Sequence, residues 1–196
     1  MGRNPQRNAL ERAETERQLI DAGRRLFAER GLEGTTVSAI AAEAGCSKGL
    51  VYHYFATKEE LAEAILVDWL GQVSELAATV AHLDDPVARL AGFARAMAVH
   101  VAANADGYRL NLRSLTDPAL RGIAADMTDD RSGPDHPWAD AFSHLGSDAP
   151  AVDGRLFQTS LLGVFAHHVL SPVPTDVVGL VDRLIHQTLE RPWTST

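Results

Sequence analysis

The sequence predicts an all-α protein, and three observations carry that expectation. Apolar residues recur every three or four positions, as one face of a helix requires, and no stretch alternates with the period of two that a strand needs. Alanine and leucine dominate, whereas β-branched runs bounded by turn residues are scarce. Capping residues and glycines stand where the periodic stretches begin and end. About nine helices are expected.

The first runs from Glu14 to Arg30, with Leu19, Ala22, Leu26 and Phe27 on one face and Gly31 as its C-cap. Thr35 and Thr36 offer a cap to a short second helix, whose Val37, Ile40, Ala41 and Ala44 fall at i, i+3, i+4 and i+7. Gly45 breaks it, and Ser47 can cap a third helix that reaches about Phe55. Thr57 then caps a longer fourth helix, with Glu59 and Glu60 in its favourable first turn. Leu61, Ile65, Trp69, Val73, Leu76 and Val80 form its apolar stripe. Asp84, Asp85 and Pro86 start a fifth helix through Met97 to about Asn104, and Asp117 and Pro118 start another with Leu120, Ile123 and Met127 inward. Thr128–Pro137 reads as loop. A short segment around Trp138, Phe142 and Leu145 follows, then two helices over about 152–170 and 175–190, separated by Ser171–Pro172–Val173–Pro174.

With 196 residues, 45% of them hydrophobic and 22% charged, the chain can bury a core and is neither disordered nor fibrous. Cys46 is the sole cysteine, which excludes a disulfide framework and a multi-cysteine zinc site within one chain and suits a reducing cytoplasm. Met1 to Arg17 is polar and charged, so no secretory leader is expected. The stretch between Arg155 and Asp176 has no formal charge, yet Gln158, Thr159, Ser160, His167, His168, Pro172 and Pro174 make it a buried helix rather than a membrane span. The net charge of −8 is unevenly spread: residues 1–58 carry +2 and residues 59–196 carry −10. The modest basic character thus sits at the start, with Arg3, Arg7 and Arg12 in an expected flexible arm over residues 1–13.

Residues 35–61, TTVSAIAAEAGCSKGLVYHYFATKEEL, carry the function. Two short helices around a glycine-containing turn make a helix-turn-helix. In the second of them Leu50, Val51, Tyr54 and Phe55 share the face that packs inward, which leaves Lys48, Gly49, Tyr52 and His53 outside. A helix entering the major groove needs such a face: a cation, hydrogen-bonding rings and a glycine that lets the backbone approach.

Over about residues 15–65 the sequence resembles the tetracycline-repressor (TetR) family of bacterial regulators. The likeness rests on Phe27–Gly31, Thr35–Thr36–Val37, Ile40–Ala41, Ala44–Gly45, Ser47–Lys48–Gly49, Tyr52, Phe55 and Lys58–Glu59. It implies a domain over residues 1–60 that binds double-stranded DNA at a palindromic operator, and a helical domain over 61–196 that dimerises and holds a small-molecule effector. Thr36, Tyr54 and Lys58 would contact phosphates, while Ser47, Lys48, Gly49, Tyr52 and His53 would face bases or nearby phosphates. Two positions depart from the family pattern: Cys46 replaces a usual aliphatic residue, and His53–Tyr54 reverses a common aromatic–histidine order.

For the second domain, an effector site wants apolar walls with few polar groups. Trp69, Met97, Phe142 and Phe165 are the apolar candidates, and His100, Asn104, Tyr108 and His168 the polar ones. Leu161, Val164, Val177, Val181, Leu184 and Ile185 are candidates for a four-helix dimer interface, the alternative being burial within one chain. Cys46 reads as a small hydrophobe filling the turn rather than a redox sensor. His167 and His168 are adjacent, so they point about 100° apart and cannot chelate together; no metal and no cofactor is expected. No phosphate-binding loop, zinc-protease or nucleophile-elbow motif is present, so the expectation is a homodimeric, effector-released repressor of the cytoplasm and not an enzyme. The alternatives are an architectural DNA-binding protein without an effector, and a ligand-binding protein or enzyme that has lost DNA binding.

Overall fold

The computed structural model describes residues 5–127 and 138–189, and the loop expected at Thr128–Pro137 lies outside them. Among the described residues are ten α-helices and no strand: α1 (Pro5–Arg30), α2 (Val37–Glu43), α3 (Lys48–Tyr54), α4 (Lys58–Val80), α5 (Pro86–Ala103), α6 (Ala105–Ser114), α7 (Pro118–Met127), α8 (Ala139–His144), α9 (Pro150–Leu170) and α10 (Val177–Thr188). They divide into two compact units, Met1–Trp69 with Leu110–Met127, and Leu70–Arg109 with Thr128–Thr196. The division falls within α4 and α6.

In the first unit the expected caps hold the helix ends. Gly31 takes φ +74° and Gly45 φ +66°, a left-handed backbone that a side chain would strain. The Thr36 hydroxyl accepts from the Ala39 amide at 3.1 Å and the Ser47 hydroxyl from the Leu50 amide at 3.2 Å. Before α4 the Thr57 hydroxyl accepts from the Glu60 amide at 3.0 Å, while the Glu60 carboxylate accepts from the Ala56 amide at 2.7 Å. This is a capping box displaced by one residue, and each such cap contributes about 1 kcal/mol. Leu19, Phe27, Leu32, Ile40, Val51, Phe55, Leu61, Ile65, Leu110 and Leu120 make the core beneath these ends.

Two features differ from the sequence reading. Helix α1 begins at Pro5, inside the stretch expected as a flexible arm, and residues 1–4 are outside the described ones. The one leucine of this extension, Leu10, is exposed, so apolar periodicity did not mark it. It carries instead the local pair Arg7–Glu11 at 2.9 Å. The tenth helix, α6, follows α5 after the single residue Asn104, with no glycine or proline to announce a new element.

In the second unit α5 packs on α8, α9 and α10, and α9 packs on α8 and α10. Asp85 and Asp176 cap α5 and α10 by accepting from the amides of Val87 and Gly179. The inward faces carry Leu90, Ala94, Met97 and Val101 of α5, Phe157, Leu161, Phe165 and Val169 of α9, and Val177, Val181 and Ile185 of α10. An aromatic chain runs from Phe93 through Trp138 to Phe157 and Phe142, with ring centroids 5.7–6.1 Å apart.

Candidate nucleic-acid interface and effector region

Helices α2 and α3 pack together through the Gly45 turn, and α3 divides cleanly into two faces. Val51 is buried, and Tyr54 and Cys46 pack half-buried against the core cluster. Cys46 thus fills the turn as a small hydrophobe. Lys48, Gly49 and His53 are exposed, and the large Tyr52 ring is 48% exposed. A Cβ added at Gly49 would meet no protein atom nearer than the Ser47 hydroxyl at 3.9 Å, so packing gives no reason for glycine there.

The ring contacts along α3 involve cations. The Lys48 ammonium stands 5.7 Å from the Tyr52 ring centroid, and the Arg12 guanidinium of α1 stands 5.9 Å from that of Tyr54. His53 meets Tyr54 edge-on at 5.4 Å. Thr36 and Ser47 are exposed beside this face; each hydroxyl oxygen accepts the helix-capping bond, which leaves its proton to donate outward.

Lys58 is placed differently. It is half-buried and donates to the Leu32 carbonyl at 2.9 Å, so one of its three ammonium protons is committed to the α1–α2 connection. Arg113 of α6 joins it at the same end of α1, donating to the carbonyls of Ala28 at 2.8 Å and Glu29 at 3.1 Å. Two cations therefore satisfy carbonyls at a helix C-terminus, where the macrodipole favours them. Arg25 pairs with Glu43 of α2, and Arg24 with Asp68 of α4, which further fixes α1 within the unit. Sequence reasoning missed Arg113 and read Arg12 only as part of a basic arm. Their partners are 42 and 85 residues away, beyond any local pattern.

In the second unit Tyr108 and Phe165 meet edge-on with centroids 5.5 Å apart, and both are buried, as are Met97 and Phe142. Burial pushes the Tyr108 phenol well above its ordinary value, so it stays protonated as a donor. The Asn104 side-chain amide lies 3.3 Å from Nδ1 of His100 and donates to the His100 carbonyl at 3.1 Å. His168 is not brought to this group by any such contact: its Nδ1 lies 3.1 Å from the Thr175 carbonyl at the α9–α10 connection. Trp69 is buried but belongs to the first unit.

Of the candidate interface residues, Leu161, Val177, Val181 and Ile185 are buried within their own chain, and Val164 and Leu184 are half-buried. The same helices expose another face, with Val152, Leu156, Leu162 and Leu170 on α9 and Leu180 on α10. Sequence periodicity located the stripes and left open which neighbour covers each. Among the described residues no three His, Cys, Asp or Glu side chains converge as metal ligands, and no helix is long and apolar enough to cross a membrane.

Residues 19–65 match the family described as bacterial regulatory proteins, tetR family. The HTH-type transcriptional repressor KstR2 of Mycobacterium tuberculosis is 46% identical over 56 residues, which are 27% of this chain and 28% of that protein. The chain thus spans little more than a quarter of the length of that relative. In three dimensions the likeness extends much further. The structure of ketosteroid transcriptional regulator KstR2 of Mycobacterium tuberculosis superposes with a TM-score of 0.69 at 20% identity, covering 89% of this chain and 93% of that one. The fatty acid degradation regulator FadR from Bacillus halodurans gives 0.70 at 18% identity over 88% and 96%. AibR in complex with isovaleryl coenzyme A and operator DNA gives 0.68 at 22% identity over 91% and 100%. Residues 19–65 of this chain thus match the bacterial regulatory proteins of the tetR family, and most of the chain shares its fold with these solved structures.

Proposed function

We propose that the protein is a homodimeric transcriptional repressor that reads a palindromic operator with α3 and is released by a small organic effector. The observation that carries the reading is the outer face of α3. Lys48, Gly49, Tyr52 and His53 stand exposed, outside the core cluster, flanked by the hydroxyls of Thr36 and Ser47. A cation and ring donors beside a bare helical glycine suit base edges in the major groove, and the hydroxyls suit phosphates. Tyr54 and Lys58 extend the phosphate row, Lys58 with the two protons it has left.

The dimer forms through the exposed face of α9 and α10. Val152, Leu156, Thr159, Gly163 and Leu170 recur along α9 at helical spacing, and a side chain at Gly163 would meet nothing within its own chain. A twofold axis through that stripe buries the same apolar surface on both copies. The effector site uses Met97, His100, Asn104, Tyr108, Phe142 and Phe165, apolar surfaces with three polar handles. Solved relatives of this fold are named for fatty acids and a ketosteroid, and one is bound to isovaleryl coenzyme A, which supports an apolar acyl or polycyclic effector. Helices α4 and α6 contribute residues to both units, and effector binding acts by favouring one of two arrangements of the reading heads. The protein works in the cytoplasm, where DNA and such metabolites meet.

Selection of bound fragments from the source genome at fixed salt tests the reading. Recovery of one or a few palindromes is expected, and a fatty acyl-CoA, isovaleryl-CoA or ketosteroid then releases them. Recovery of no preferred sequence would overturn it.

A further inference from the structure

We propose that Arg12, on the N-terminal extension of α1, is a further DNA-contacting residue, holding a guanidinium against the phosphate backbone beside the His53 end of α3. The proposal rests on the DNA-binding reading above and adds a contact that the helix-turn-helix itself does not supply.

Helix α1 carries six arginines, and among the described residues five of them pair with carboxylates. Arg7 is with Glu11, Arg17 with Glu14, Arg24 with Asp21 and Asp68, Arg25 with Glu43 and Arg30 with Glu29. Arg12 is the exception. Glu16 stands four residues further on, the usual position for a helical ion pair, yet the Arg12 guanidinium stands over the Tyr54 ring at 5.9 Å.

A guanidinium held over a ring keeps its N–H donors for another partner. Among the described residues those donors meet no carboxylate, so the Arg12 charge is left without an ion-pair partner there. Tyr54 packs half-buried on the core cluster and meets His53 edge to face at 5.4 Å. Arg12, Tyr54 and His53 therefore meet at the last turn of α3. Lys48 over Tyr52 forms a second cation–ring pair at the first turn, also without a carboxylate. The reading helix is bracketed by two cations, one of which comes from a different element. A planar fork held in this way suits two oxygens of one phosphate.

The test uses the full-length protein, the duplex recovered by genomic selection, and a scrambled duplex of the same composition. Binding is measured across a salt series for wild type, Arg12→Gln, Arg12→Lys and, as a charge-matched control, Arg7→Gln. All are exposed positions, and far-UV circular dichroism checks that each variant is folded. Arg12→Gln is expected to weaken both duplexes alike and to make the salt slope shallower by about 1.8 for a dimer, one phosphate contact per head. Arg12→Lys restores the slope, because an ammonium still neutralises phosphate, and Arg7→Gln leaves it at the wild-type value. A wild-type slope for Arg12→Gln, or an equal fall for Arg7→Gln, overturns the proposal while the DNA-binding reading stands. A wild-type protein that binds neither duplex overturns both.

Discussion

In the first unit the residues that packing does not explain lie outside. Lys48, Gly49, Tyr52 and His53 project from a core of Phe27, Ile40, Val51 and Leu61 that any small helical unit could use. In the second unit the distinctive polar residues lie inward, with Tyr108 buried and His100 and Asn104 half-buried. The contrast explains why one region is readable and the other is not. A solvent-facing residue is not constrained by packing, so an unusual choice there points to a partner. A buried ring satisfies the core whatever else it does, so its identity carries little functional signal.

The comparison breaks most visibly at the core. Phe27→Ala, which empties a fully buried position, should destabilise the first unit by about 3–5 kcal/mol, read from the denaturant midpoint. A loss under 1 kcal/mol would mean that this core is not what holds the helix-turn-helix.

Gly49→Ala should separate stability from function within a single residue. The methyl meets no protein atom closer than 3.9 Å and improves helix propensity, so thermal stability should rise by up to about 1 kcal/mol. Operator affinity should fall by roughly tenfold, because the added group stands where the backbone approaches the bases. Unchanged affinity in a calibrated binding assay would remove Gly49 from the interface.

Lys58→Ala and His53→Ala sharpen the distinction between phosphate and base contacts. Lys58→Ala should weaken binding to all duplexes and also destabilise the fold by about 1 kcal/mol, since it abandons the Leu32 carbonyl. His53→Ala should leave stability alone and shift preference at particular bases in a selection experiment. Equal effects of both on every sequence would contradict this division.

The smallest effect belongs to the inward-facing region. Burial raises the folded Tyr108 pKa, whereas the unfolded phenol ionises near 10. The folded state therefore holds its proton more tightly, a contribution fully present below pH 10 and lost as the pH rises above it. Tyr108→Phe should remove that alkaline loss in a stability–pH profile. It should also weaken effector binding by about 1 kcal/mol while operator affinity stays as in wild type. An effector affinity unmoved by the change would place the site elsewhere.

Much of this protein is determined within short windows of its sequence. The all-α class, the Thr36, Ser47, Asp85 and Asp176 caps, the Gly31 and Gly45 turns and the two faces of α3 all follow from residues within a turn or two of one another. Local geometry suffices for those, because caps, glycine conformations and helical faces depend on spacing alone. The start of α1 and the abrupt α5–α6 junction escaped, the first because its one leucine, Leu10, is exposed and sets no periodic stripe, the second because Asn104 alone separates the two helices.

Tertiary structure alone decided the rest. It turned Arg12 to Tyr54 rather than Glu16, brought Arg113 to the end of α1, and engaged Lys58 with Leu32. It also placed Leu161, Val181 and Ile185 in the chain's own core and left Leu156 and Leu180 at the surface. A helical period states that a face will be buried, but its occupant is chosen by packing between residues far apart in the chain, and no local spacing records that choice.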